Sequence, residues 1–139
     1  MDVNDRLGIL DLMARYAHSY DEGMLDDLGP LFTADAVFRF DPPIPGFPAE
    51  LDGRDAIVSA MRARYAATAP AQRRHIITNV LIDPLGPDRA EVASYLLLGS
   101  TSDGSLVLPV TGRYSDVVVR DEGRWRYAAR LLRLDARLG

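Results

Sequence analysis

The stretch QRRHIITNV, Gln72 to Val80, sets a histidine at the head of an apolar run, directly after two arginines and four positions before an asparagine. Histidine, with an ordinary pKa near 6.5, can take and return a proton at neutral pH. The chain has two histidines, His18 and His75, so each can be weighed alone. If the run is a strand, His75, Ile77, Asn79 and Leu81 share one face, and Ile76, Thr78, Val80 and Ile82 the other. His75 and Asn79 then put two polar groups on one side of an apolar surface, as in a pocket wall with a few placed polar groups. A buried histidine bonded to a backbone carbonyl at a strand start would give the same pattern. Tyr16 and Tyr20, four residues apart, share one face of a helix. Their hydroxyls could donate to a substrate oxygen, or pack in the core as satisfied phenols. His18 lies within helical reach of Arg15 and Glu22, which reads as a surface partnership.

The elements that must position these residues are read from periodicity. Val3, Leu7, Leu10, Met13, Ala14, Ala17, Tyr20 and Asp21 recur at three-to-four spacing, which predicts a first helix stopped by Gly23. A short second helix is expected over Met24–Phe32 and a strand over Asp35–Phe40. The proline-rich DPPIPGFPAELDG is read as a loop. Asp52 is expected to cap a third helix with Ile57, Met61 and Tyr65 on one stripe. The period then switches, with strands near Arg73–Asp83, Arg89–Thr101, Ser105–Arg120 and Arg124–Ala136, joined by turns rich in Gly and Asp. Helices followed by an antiparallel meander give an α+β fold in one domain over residues 1–139. Strands this long twist and curl, so helices across the concave face enclose a cone.

Composition narrows the function. A net charge of −4 and a pI near 5.1 supply no basic field for nucleic acid. The run Arg120, Arg124, Arg126, Arg130 and Arg133 reads as a strand's outer face, with Arg113, Arg126 and Arg130 making solvent or dimer contacts. The absence of cysteine removes thiol chemistry and fits a reducing compartment. The acidic N-terminus is unlike a signal peptide, and no apolar run approaches the ~20 residues that span a bilayer. A cytoplasmic protein is expected, with no membrane partner. Two histidines far apart leave little from which to build a metal site, and no phosphate loop or GxSxG elbow is present, so no cofactor is expected.

RYAHSYDEGMLDDLGPLFTADAVF (Arg15–Phe38), GRDAIVSAMRARY (Gly53–Tyr65), QRRHIITNVLID and GRYSDVVVRDEGRWRYAARLLRLD (Gly112–Asp135) together resemble the SnoaL-like branch of the nuclear transport factor 2-like (NTF2-like) superfamily. The resemblance implies an α+β cone, a homodimer packed through the outer sheet face, and a hydrophobic cyclic small molecule as substrate. Its members include dehydratases, ketosteroid isomerases and polyketide cyclases, as well as binding subunits without catalysis, so the fold alone does not choose. In the dehydratases a carboxylate at the end of the first helix holds a histidine on the first long strand; Asp21 and His75 match those places. Tyr16 and Tyr20 stand where relatives keep a catalytic tyrosine. Asp41 falls within one position of the isomerase base, though an Asp-Pro-Pro turn explains it equally well. Leu96 stands where scytalone-type enzymes carry a second histidine. The expected function is thus a cofactor-independent lyase, isomerase or cyclase with His75 as acid and base, Asp21 orienting it, and Asn79, Asp41 and Leu96 near the substrate. A non-catalytic binding or assembly subunit is the alternative.

Overall fold

The computed structural model describes residues 1–135. Helix α1 spans Val3–Asp21 and α2 Arg54–Thr68. Strands β1 (Phe32–Asp41), β2 (Glu50–Asp52), β3 (Gln72–Pro84), β4 (Arg89–Ser102), β5 (Ser105–Asp121) and β6 (Arg124–Leu134) form one sheet in the order β2-β1-β6-β5-β4-β3. All neighbours are antiparallel except β1 and β6. This is the expected α+β architecture, a curved sheet with helices on its concave side. No helix among the described residues is long and apolar enough to cross a membrane.

Helix α1 starts at a capping box. The Asp2 carboxylate accepts from the Asp5 N–H at 2.9 Å, and Asp5 accepts from the Asp2 N–H at 3.0 Å. It ends before Gly23, whose φ of +72° suits a residue without Cβ; a Cβ there would also lie 2.6 Å from the Tyr65 hydroxyl. The buried face is Ile9, Leu12, Met13, Tyr16, Ser19 and Tyr20. The expected stripe is therefore rotated, because Val3 and Leu7 are 71% and 57% exposed and Leu10 is exposed as well. Three-to-four spacing fits more than one face of an apolar helix, and packing against the sheet decides which face is buried.

The expected second helix is two 3-10 turns, Leu25–Asp27 and Gly29–Leu31. Gly29 and Pro30 break it: one is a poor helix former, and the other lacks an N–H and clashes with the preceding turn. Phe32, assigned to that helix, begins β1. The proline-rich segment yields a short strand, β2, as well as loop, and Asp52 ends β2 instead of capping α2; Gly53 is the cap residue. The last strand is described to Leu134, and its expected end at Ala136 lies outside the described residues.

Two irregularities in the sheet decide what faces the core. In β3 the pairing with β4 shifts between Thr78 and Leu81, where Asn79 has a φ of +55°. In β6 the pairing with β5 shifts between Tyr127 and Ala129. Each is a bulge, one extra residue on one strand, and each moves every later side chain to the opposite face.

Candidate active site

Between the concave sheet face and the helices lies a cavity of about 330 Å³, toward the small end of the roughly 300–1,000 Å³ common for ligand sites. One wall is aromatic, because alternation along β1 turns Phe38 and Phe40 inward, where they stack at 4.6 Å. Phe47, from the loop before β2, stacks on Phe40 at 5.1 Å. Leu96 and Leu98 of β4 form the opposite wall, together with Tyr114 of β5.

Into this apolar space β3 carries His75. Residues 73, 75 and 77 are the partly buried ones on this stretch of the strand, while 74, 76 and 78 are exposed. Asp21, the last residue of α1, meets His75 twice. One carboxylate oxygen accepts from the His75 backbone N–H at 2.7 Å, and the other lies 2.5 Å from Nδ1. The carboxylate therefore fixes both the backbone and the ring of the same residue. Gln72 donates to the Asp21 carbonyl at 3.1 Å, tying the end of α1 to the start of β3. The two side chains are only 5% and 6% exposed. Beside an ionised Asp21, a neutral imidazole donates from Nδ1 and keeps its lone pair on Nε2. Burial holds the His75 pKa below its ordinary value; Asp21 opposes that effect without overcoming it. His75 is thus a neutral imidazole at pH 7, the form that accepts a proton.

Tyr16 and Tyr20 both line the cavity. The Tyr20 ring lies nearly parallel to the imidazole at 5.2 Å, and Tyr16 meets it edge-on at 6.0 Å. Burial raises the pKa of both phenols, Tyr16 well above the ordinary value, so both are hydroxyl donors. Tyr114, which sequence reasoning did not single out, joins them; burial pushes it up to about 12. Its place was legible, since it alternates with Asp116 and Val118 on the buried face of β5.

The sequence also misplaced Arg130. Expected at a solvent or dimer surface, it is fully buried under the tyrosines. Its guanidinium forms a two-pronged pair with Asp116 at 2.9 and 3.1 Å, and both side chains are 0% exposed. The rings of Tyr114, Tyr127 and Tyr16 surround it at 3.7, 4.2 and 4.4 Å. Burial disfavours its charge, but Asp116 and the tyrosines more than offset this and raise its pKa. Arg126 does not share that face; it donates to the Pro30 carbonyl at 2.6 Å. Arg113 is exposed, as expected, and so is His18.

Two candidates lie away from the cavity. Asn79 is exposed at the bulge, because the extra residue sends it outward and brings Val80 and Ile82 in. Asp41 is exposed at the end of β1, one position out of phase with Phe38 and Phe40, and lies 3.8 Å from Arg133. Neither lines the cavity; Leu96 does.

The dyad has a measurable consequence. Asp21 raises the His75 pKa and burial lowers it, so Asp21→Asn is expected to move that pKa further down. An NMR pH titration reads this, with His18→Gln assigning the two imidazoles. An unchanged His75 titration in Asp21→Asn would break the dyad. The stability sign can be worked out as well: a histidine with a lowered folded pKa binds its proton first in the unfolded chain. Its contribution therefore destabilises the fold as pH falls below about 6.5 toward the folded pKa.

Solved structures share this arrangement of elements. A protein from Catenulispora acidiphila, solved in complex with S-DNPA, is 30% identical; the match covers 96% of each chain with a TM-score of 0.82. Aln2 from a Streptomyces species is 23% identical over 97% of this chain and 94% of its own, with a TM-score of 0.85. An NTF2-like protein with a cystatin-like fold from Novosphingobium aromaticivorans is 21% identical over 96% of this chain and 83% of its own, with a TM-score of 0.83. Among curated proteins, none matches the sequence. The SnoaL-like domain matches residues 1–130, and the chain belongs to that family.

Proposed function

We propose that the protein is a cofactor-independent lyase or isomerase, of dehydratase or cyclase type, acting on a hydrophobic cyclic molecule. The observation that carries this reading is the buried Asp21–His75 pair, with one ring nitrogen taken by the carboxylate and the imidazole forming part of an apolar cavity wall. His75 removes a proton beside a carbonyl through Nε2. Asp21 steadies the imidazolium that forms, and Tyr16 or Tyr20 donates to the oxygen on which charge builds. Loss of a β-hydroxyl, taking its proton from His75, completes a dehydration; return of the proton to another carbon completes an isomerisation. A relative that is 30% identical was solved with a small molecule, S-DNPA, which supports a ligand-holding cone.

The test is proton exchange. A panel of cyclic ketones and β-hydroxy ketones is incubated with the protein in deuterium oxide and followed by NMR. Deuterium is expected to enter beside the carbonyl at a rate that rises with pH and levels off once His75 is neutral. A protein that binds panel members without exchanging a proton on any of them is a binding module, and the catalytic reading falls.

A further inference from the structure

Two arginines line a cavity whose other side chains are apolar groups, hydroxyls and the His75 imidazole. Along α2 the stripe that meets the sheet runs Ile57, Met61, Arg64, Thr68, so a guanidinium stands where the pattern calls for an apolar side chain. On β3 the inward face runs Arg73, His75, Ile77, with a second guanidinium at its head. Both arginines are half-buried, and both line the cavity. Their outward neighbours are paired: Arg62 with Asp26, and Arg74 with Glu22. Among the described residues, Arg64 and Arg73 have no carboxylate within salt-bridge distance, and no aspartate or glutamate lines the cavity. The nearby Asp21 is already taken by His75. Arg73 lies over the Tyr20 ring at 5.5 Å, and both guanidiniums pull down the phenol pKa that burial raises, so the two charges converge on one end of the site. A guanidinium's planar fork matches a carboxylate, and two of them beside an apolar cavity, free of acidic partners among the described residues, offer such a site.

We infer that Arg64 and Arg73 bind a carboxylate carried by the ring compound in the cavity, so that the substrate is a ring acid and not a neutral molecule. The inference rests on the cavity being the substrate site. It also sets a distance. Arg73 and His75 are two residues apart on one strand face, about 6.6 Å along the strand. The carbon that loses its proton therefore lies a few bonds from the carboxylate.

The experiment uses 2-naphthoate and its neutral counterpart 2-naphthamide, titrated into the protein by calorimetry at pH 8, where His75 is neutral. Wild type is expected to bind the carboxylate about 10- to 100-fold more tightly than the amide, the gain typical of charge-assisted hydrogen bonds. In Arg64→Met/Arg73→Met that preference should vanish, with naphthoate binding weakened far more than amide binding; Arg73→Lys should keep part of it. Leu96→Trp, with Leu98→Trp as a second filling variant, should abolish binding of both probes. Equal affinity for the two probes in wild type, or a preference that survives the double variant, overturns the carboxylate site while leaving the cavity as a ligand site. Binding of neither probe, or binding that both filling variants leave intact, overturns the cavity reading and the carboxylate site with it.

Discussion

His75→Gln is expected to slow proton exchange by about 10²- to 10⁴-fold, the usual worth of a positioned general base. Glutamine is chosen over alanine because its amide can still donate to Asp21, and the backbone N–H of residue 75 keeps its 2.7 Å bond to the other carboxylate oxygen. The carboxylate is then not left buried without a partner, and the variant should melt near wild type. Loss of rate with an intact fold would assign the chemistry to the imidazole. Exchange at the wild-type rate would remove His75 from the mechanism. Because Asp41 lies outside the cavity, Asp41→Asn should leave the rate unchanged in the same assay.

The largest stability effect is expected at Arg130. Arg130→Met leaves the Asp116 carboxylate fully buried without its cation, which typically costs about 3–5 kcal/mol. Adding Asp116→Leu should recover most of that loss, since two apolar side chains can fill the place of a buried pair at little net cost. Urea unfolding of wild type and the two variants measures this, and a single variant no less stable than the double would refute it. The pH dependence provides a second reading. Burial raises the Asp116 pKa and Arg130 opposes the rise. Without Arg130 the carboxyl titrates higher still, so the folded chain holds a proton that the unfolded chain has lost. Arg130→Met should therefore become more stable on acidification and lose that stability as pH rises through the folded pKa of Asp116.

Much of this was legible in the sequence. Four long strands, two true helices and the pair Asp21 and His75 emerge from periodicity, turn residues and family resemblance. What alternation could not carry across was a bulge. Counting from the His75 end puts Asn79 inside; the extra residue at that position puts it outside and Val80 inside. The β5–β6 turn pairs Asp121 with Arg124, and the same count sets Asp116 opposite Ala129. The bulge near Tyr127 sets it opposite Arg130 instead, which turns a supposed surface arginine into the charge beneath the tyrosines. Arg64 was not legible: the expected stripe ran Ile57, Met61 and Tyr65, and only the packing of α2 on the sheet sets Arg64 against the cavity.

The bulge at Asn79 also bears on how this chain behaves among its own copies. Strand β3 closes one end of the sheet, thirteen residues long and rich in isoleucine, leucine and valine, with Ile76 and Leu81 turned outward. An unbroken apolar edge of that length would offer a ladder of unpaired N–H and C=O groups to any neighbouring molecule, the usual start of fibrous aggregation. Asn79, in a left-handed conformation near the middle of the strand, interrupts the ladder and turns the remaining side chains of β3 to new faces. The residue that takes no part in the cavity thus breaks the row of free edge groups on the open side of the sheet.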